Sequence, residues 1–448
     1  MGSMTCPSWL EYNEDSHFSL LNIPFGIVTV GTSTSSGSVA ASKVAATRVG
    51  DFVVDLSVLE TYGLLKQQFA DAEATYFDKP VLNDFANLPN AIRRAVRQQI
   101  RQLLSSNCST IRDNESLRQS SIHKITDVIT HVPFRIGDFI DYSVFPAHGI
   151  GAGRAIFGPE TKLPPSFACM PMAYNGRSST VTVKEEIVRP QGQLRAFSKD
   201  REVTIGECRA LDWEFEIGAF ISRPSEADTY LTPEQAASHV FGYVILNDWS
   251  ARDVQSFEMV PLGPFNGKSF ATTITPWVVT AEALEEFSAP LPARLTDMPF
   301  QQPEYLNCGQ DVKPNYHVQC ETRLSLASDP SSQHVISRAT FADAYWSFPQ
   351  LIAHQTYNGA PVQTGDLLGS GTISNWTDDS KGCMLELGVG GKQPIKVGSN
   401  GEERCWIQDG DEVVMSAWAF DKGKSEKVGF GELRGKVRPA KLLRQADE

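Results

Sequence analysis

Leu211-Asp212-Trp213-Glu214-Phe215-Glu216-Ile217 alternates apolar and acidic residues without a break. That period belongs to a β-strand, so Leu211, Trp213, Phe215 and Ile217 share one face and Asp212, Glu214 and Glu216 the other. Glu214 and Glu216 then root about 7 Å apart on one side of a sheet. Carboxylates so placed repel, and they are tolerable if water solvates them or a cation neutralises them. A Glu-x-Glu strand suits a hard metal ion. A solvent-facing strand edge is the commoner source of such a pattern taken alone.

Downstream, Phe241-Gly242-Tyr243-Val244-Ile245-Leu246 is a continuous apolar run that reads as a buried strand. It ends abruptly in Asn247-Asp248-Trp249-Ser250-Ala251-Arg252-Asp253-Val254-Gln255. Polar groups delivered at the mouth of a buried strand are placed as active-site groups are. Next comes a Gly/Pro loop, 261–273, that carries Lys268 among apolar residues. It is not a phosphate loop, because Gly263 and Gly267 are one residue too close.

Around this centre the chain is rich in strand patterns, at 179–183, 211–221, 241–247, 275–280, 316–326, 383–389 and 411–418. Thr232-Pro233-Glu234-Gln235 supplies an N-cap, a first-turn proline and a capping-box glutamine for a helix that includes Ala236 to Val240. Before residue 105 the pattern differs. Short strands at 27–30 and 51–56, separated by a Gly/Ser/Thr stretch at 31–38, suggest a small barrel. Ile92, Val96, Ile100, Leu103 and Leu104 then mark one face of a helix, with Arg93, Arg94, Arg97 and Arg101 on a solvated opposite face. A polar stretch at 105–125 precedes the domain boundary. The expected division is therefore 1–130, a small N-terminal domain with a helical segment, and 131–448, a larger mixed, mostly antiparallel β domain.

A length of 448 residues fits two domains. The net charge of −13 argues against nucleic acid and anionic membranes as partners. No apolar run is long enough to span a bilayer, and no signal peptide follows Met1. Met1-Gly2-Ser3-Met4 reads as a tag ahead of a native start, and Ala446-Asp447-Glu448 is not a targeting address. Eight cysteines without a C-x-x-C pair suit reduced thiols and a cytoplasmic setting.

The blocks Asn247–Asp253, Pro261–Phe265 and Gly267–Phe270 resemble the diagnostic blocks of the fumarylacetoacetate hydrolase family. Gly365-Asp366-Leu367-Leu368-Gly369-Ser370-Gly371-Thr372-Ile373-Ser374 and Met384-Leu385-Glu386-Leu387 are similar to its C-terminal blocks, and Phe18–Gly26 to its N-terminal one. The resemblance runs from about residue 17 to 440. It implies a mostly β, α+β fold: an SH3-like N-terminal domain and a catalytic β-roll, as a homodimer. It also implies a cation site of Asp141, Glu214, Glu216 and Asp248, supported by Thr272, where an all-oxygen set favours Mg²⁺ or Ca²⁺. His148 would be the base and Glu386 its orienter. Lys268, Arg252 and Gln255 would face developing negative charge, with Tyr174 and Thr372 as supporting contacts. The implied reaction is hydrolysis of a carbon–carbon bond in a small 1,3-dicarbonyl.

One segment departs from the family pattern. Ser143 stands where the family carries a tyrosine, and Phe157 where it carries an arginine. Both missing groups hold a substrate carboxylate in the family, and an unreplaced bidentate partner is a loss of several kcal/mol. Arg154, three residues from Phe157, is the candidate substitute. The departure suggests a paralogue that takes a less acidic 1,3-diketone or acylpyruvate-like compound. A lyase or cyclase of the same family, and a catalytically silent scaffold, are the alternatives.

Overall fold

The computed structural model describes residues 8–31, 42–71, 73–195, 203–309, 312, 314–398, 401–420 and 426–441. Most of the stretch at 31–38, the start at Met1–Met4 and the last three residues fall outside them.

Leu211–Asp212 pairs with Ser250–Ala251 in a separate two-stranded ladder, and Trp213 and Glu214 lie between the two strands of the acidic stretch. Only its second half, Phe215–Ile221, is central to the largest sheet. In spatial order, that sheet runs Met172–Asn175, Phe139–Ser143, Leu367–Gly369, Phe215–Ile221, Val240–Asp248, Thr272–Ile274 and Val181–Thr182, with Val279–Thr280 paired to Val240–Asp248. Its pairings are antiparallel, except for Leu367–Gly369 on Phe139–Ser143 and Thr272–Ile274 on Val181–Thr182. Both faces are covered. Ile217, Ala219, Tyr243 and Ile245 join one apolar core, and Phe220, Val244, Leu246, Ile274 and Leu367 join another. A strand buried on both faces has no polar side to show, which explains the unbroken run from Phe241 to Leu246.

A five-stranded sheet closes the first core. It is ordered Asp329–Thr340, Val318–Leu326, Glu412–Ala419, Val428–Arg438 and Glu186–Val188, and contributes Leu324, Met415, Phe430 and Val437. The second core is closed by the N-terminal part of the chain. There Ile122–Lys124, Phe52–Asp55, Lys43–Val49, Phe25–Val30 and Val128–His131 form an antiparallel sheet. Phe25, Phe77, Phe85, Val96 and Ile100 pack with the large sheet's Phe220 and Leu246 in that core. The fold is thus α+β and dominated by sheet. Among the described residues no helix is long and apolar enough to cross a membrane.

Several local expectations need correction. The helix Asn90–Leu104 is present, but Arg93 and Arg97 are buried rather than solvated. Arg93 donates to the carbonyls of Ala86 and Leu88, and Arg97 to those of Leu21 and Asn22. These guanidiniums satisfy carbonyls that loops leave unpaired, a use that sequence periodicity does not reveal. The segment 383–389 is not a strand: Met384–Leu387 is a helical turn. Both Met384 and Leu385 donate their backbone N–H groups to the Asp212 carboxylate, which caps the turn from outside. The capping box at Thr232 is formed, but its helix is only Pro233–Ala237, and Val240 already belongs to the next strand. Within 179–183 and 275–280, only Val181–Thr182 and Val279–Thr280 are strand.

Candidate active site

By strand alternation, Phe139, Leu367, Phe220, Leu246 and Ile274 share one face of the large sheet. Towards one end the same rows turn polar, with Asp141, Gly369, Glu216, Asp248 and Thr272. Register brings these together: Asp141 lies opposite Gly369, Gly369 opposite Gly218, and Asp248 opposite Thr272. As a result, Asp141, Glu214, Glu216 and Asp248 each offer an oxygen within 4.8 Å of the others. A Cβ at position 369 would stand 2.7 Å from Glu216 Oε2 and 3.0 Å from Asp141 Oδ1, so glycine there makes room for the acids to converge.

These acids are no solvated edge. Asp141 is 3% exposed, Glu214 5%, Glu216 0% and Asp248 1%. Lys268 Nζ donates to Glu214 Oε2 at 2.5 Å and to Asp248 Oδ2 at 2.6 Å. Arg252 pairs with Glu214 at 2.7 Å, donates to Asp212 at 2.8 Å and to Gln255 Oε1 at 3.1 Å. Asp248 also accepts from Tyr174 OH at 2.7 Å and from Thr272 Oγ1 at 3.2 Å. The cations are unevenly shared. Burial alone would raise the Glu214 carboxyl, but Lys268 and Arg252 outweigh it and hold that group down, at about 2. Burial, reinforced by Asp248, pushes Asp141 well above the carboxylate range, and burial with Asp141 does the same to Glu216.

Asp141 Oδ1 and Glu216 Oε1 are buried without a hydrogen-bond partner among the described residues. Orphaned oxygens facing excess negative charge fit a bound cation, which would satisfy both. The residues present therefore fit the metal that the resemblance implies.

His148 stands beside this cluster in the helix Pro146–Phe157, its third residue. Its Nδ1 is 2.7 Å from Glu386 Oε2, an oxygen that also accepts from Ser374 Oγ at 2.6 Å. Burial lowers the basicity of His148, but the Glu386 charge outweighs this and the ring ends above its ordinary value. A Cβ on residue 151 would overlap the Glu386 carboxylate, so the glycine-rich composition of this helix lets it pass close to the acid.

Thr372 is buried, with its Oγ1 unpartnered among the described residues. Ser143 is half-buried and shares the Asp141 face of its strand. Phe157, by contrast, is 79% exposed at the end of its helix. Arg154 is also exposed, and among the described residues no hydrogen bond or ion pair links it to the acids. Two site residues escape a reading by pattern. Asp212 ties Arg252 to the turn that carries Glu386, and Ser374 holds Glu386 itself. Asp212 had a signal, since it lies in the acidic alternation; Ser374 had none beyond its block.

Two family models match the chain, "Fumarylacetoacetase N-terminal" over residues 21–133 and "Fumarylacetoacetate (FAA) hydrolase C-terminal" over residues 150–438. Among curated relatives, the fumarylacetoacetase of Dictyostelium discoideum is 39% identical over 97% of this chain and 98% of its own length. The Aspergillus fumigatus fumarylacetoacetase is 38% identical, over 97% and 99%. That of Arabidopsis thaliana is 36% identical, over 97% and 98%. The chain therefore belongs to the fumarylacetoacetate hydrolase family and is a hydrolase of the fumarylacetoacetase type.

Proposed function

We propose that this chain hydrolyses a carbon–carbon bond in a 1,3-dicarbonyl, with fumarylacetoacetate as the first substrate to test, and that it depends on Mg²⁺ or Ca²⁺. One observation carries the reading: four buried carboxylates, two with orphaned oxygens, converge beside a histidine that a buried glutamate orients. Asp141, Glu214, Glu216 and Asp248 would hold the cation, with Thr272 steadying Asp248. The cation would supply Lewis-acid polarisation of the dicarbonyl oxygens.

The chain's own groups account for the rest. Glu386 accepts the Nδ1 proton of His148, which leaves Nε2 free to take a proton from water. The resulting hydroxide adds to one carbonyl carbon, and Lys268 and Arg252, with Gln255, stabilise the oxyanion. Collapse breaks the carbon–carbon bond. The departing carbon leaves as an enolate and regains the proton from His148, so one water is consumed and an acid and a ketone form. Ser143, Tyr174 and Thr372 would line the substrate pocket. The exposure of Phe157 and Arg154 favours a substrate that is less dependent on carboxylate binding. A division near residue 130, a homodimer and a cytoplasmic setting belong to the same reading.

The test is consumption of fumarylacetoacetate in ¹⁸O-water, with Mg²⁺ or Ca²⁺ and again with a chelator. Metal-dependent turnover with label in the acid product is expected. Turnover without label would sink the hydrolytic step in favour of a lyase. Absence of turnover on fumarylacetoacetate and on neutral 1,3-diketones alike would sink the reading as a whole.

A further inference from the structure

The His148–Glu386 pair has a third neighbour that the proposed reaction does not use. Cys383 is fully buried, and its Sγ donates to Glu386 Oε2 at 3.3 Å. One donor atom each from His148, Cys383 and Glu386 lies within 4.8 Å of the others. Ligands around a tetrahedral zinc at about 2.0–2.3 Å stand roughly 3.3–3.8 Å apart, a spacing within the limit that these three atoms satisfy. The second Glu386 oxygen, Oε1, is buried and has no hydrogen-bond partner among the described residues. The side chain of Glu386 is 1% exposed and that of His148 15%, so the group opens to solvent on the histidine side.

We propose that His148, Cys383 and Glu386 form a second cation site, selective for a borderline-soft ion such as Zn²⁺, whose occupation silences His148. The donor chemistry separates it from its neighbour. One thiolate, one imidazole nitrogen and one carboxylate oxygen make a zinc-type set, whereas four carboxylates make a hard-ion set.

Protons balance simply. The ion enters, the thiol proton leaves to solvent, and the Nδ1 proton of His148 moves to Nε2 as Nδ1 binds the ion. No electrons are transferred. The ion's charge is met by the new thiolate and by Glu386, so no net charge is left buried. Nε2, the atom proposed to accept a proton from water, then carries one and cannot act as a base. Only this inhibitory half rests on the proposed function; the binding half does not.

The probe is Co²⁺, added to the full chain with Mg²⁺ or Ca²⁺ saturating the carboxylate cluster. A near-ultraviolet sulfur-to-cobalt charge-transfer band is expected in the wild type. It should disappear on addition of Zn²⁺ and be missing in both Cys383→Ser and Cys383→Ala. A wild type without the band, or a band that survives in folded variants, overturns the proposal whatever the enzyme turns over. Where turnover exists, Cys383→Ser should raise the Zn²⁺ concentration for half-inhibition by at least about tenfold. Equal Zn²⁺ sensitivity in the two proteins would overturn the inhibitory role. Circular dichroism of each variant separates loss of the site from loss of the fold.

Discussion

Replacing Gly369 with alanine should weaken cation binding while leaving the fold intact. The new methyl would begin 2.7 Å from Glu216 Oε2, closer than real Cβ atoms approach other atoms, and 3.0 Å from Asp141 Oδ1, a tight contact. Residue 369 is in ordinary strand pairing, so the substitution brings no backbone penalty of its own. Without an ion, the two carboxylates can each retreat by a few tenths of an ångström. With an ion they cannot, because oxygen–metal distances are held to about 2.0–2.6 Å. Overpacking of this kind costs about 1–3 kcal/mol. At about 1.4 kcal/mol per decade, the dissociation constant should rise about 5- to 150-fold. Titration calorimetry of Mg²⁺ and Ca²⁺ into chelator-treated protein measures it directly. Thermal unfolding of the metal-free variant should stay close to wild type, while the extra stability conferred by metal shrinks. If Gly369→Ala binds as tightly as wild type, the ion is not held between Asp141 and Glu216, and the reasoning fails.

Changing His148 to Asn should lower kcat by about 10²–10⁴-fold with the metal dissociation constant unchanged, measured by turnover and calorimetry side by side. Glu386→Gln removes the charge that raises His148, so the acid limb of kcat/KM should move to lower pH as the maximal rate falls. The sign follows because His148 acts when neutral, so activity appears as pH rises through its pKa; a limb moved upward would contradict it. His17 offers a test of stability far from the acids. Burial, with Lys427 and Arg323 adding to it against Glu432, lowers its pKa to about 4, and its Nδ1 accepts the Gly431 N–H. Stability from this group is complete above the unfolded value near 6.5 and is lost as pH falls through about 4. The difference between wild type and His17→Asn in denaturant unfolding should therefore shrink by about 3 kcal/mol across that window; a difference that is flat with pH would refute it.

The central strands, the Glu214–Glu216 pair and the polar mouth at Asp248 were legible because their signals are local; Asp141 joined them only through the family resemblance. Alternation around Trp213 fixes which residues share a face, and the apolar run before Asp248 marks a strand buried on both sides. What escaped depended on partners distant in sequence. Met384–Leu387 alternates no more clearly as strand than as helix over four residues, and its form is decided by the Asp212 carboxylate on its N–H groups. Arg93 and Arg97 sit on the polar side of a helix by pattern, but loop carbonyls around Leu21 and Ala86 claim them. The role of the glycines in the His148 helix shows only when Glu386 is placed against Gly151. A sequence reading sees charge and period; it does not see which orphan a side chain will meet.

The two-faced burial of the strand Phe215–Ile221 has a consequence for how the chain avoids error. Sliding this strand by one residue along Val240–Asp248 would exchange its faces. Phe215 and Ile217 would then crowd the polar end, while Glu216 would be driven among Tyr243, Ile245 and the aromatic residues of the first core, and Glu214 next to it would be pulled out of place. Burying a carboxyl group without a partner in apolar surroundings costs several kcal/mol even when it is protonated, a large part of the stability of an ordinary domain. The acids that would hold the ion thus also proofread the pairing: a chain that folds at all has already brought them to the right side.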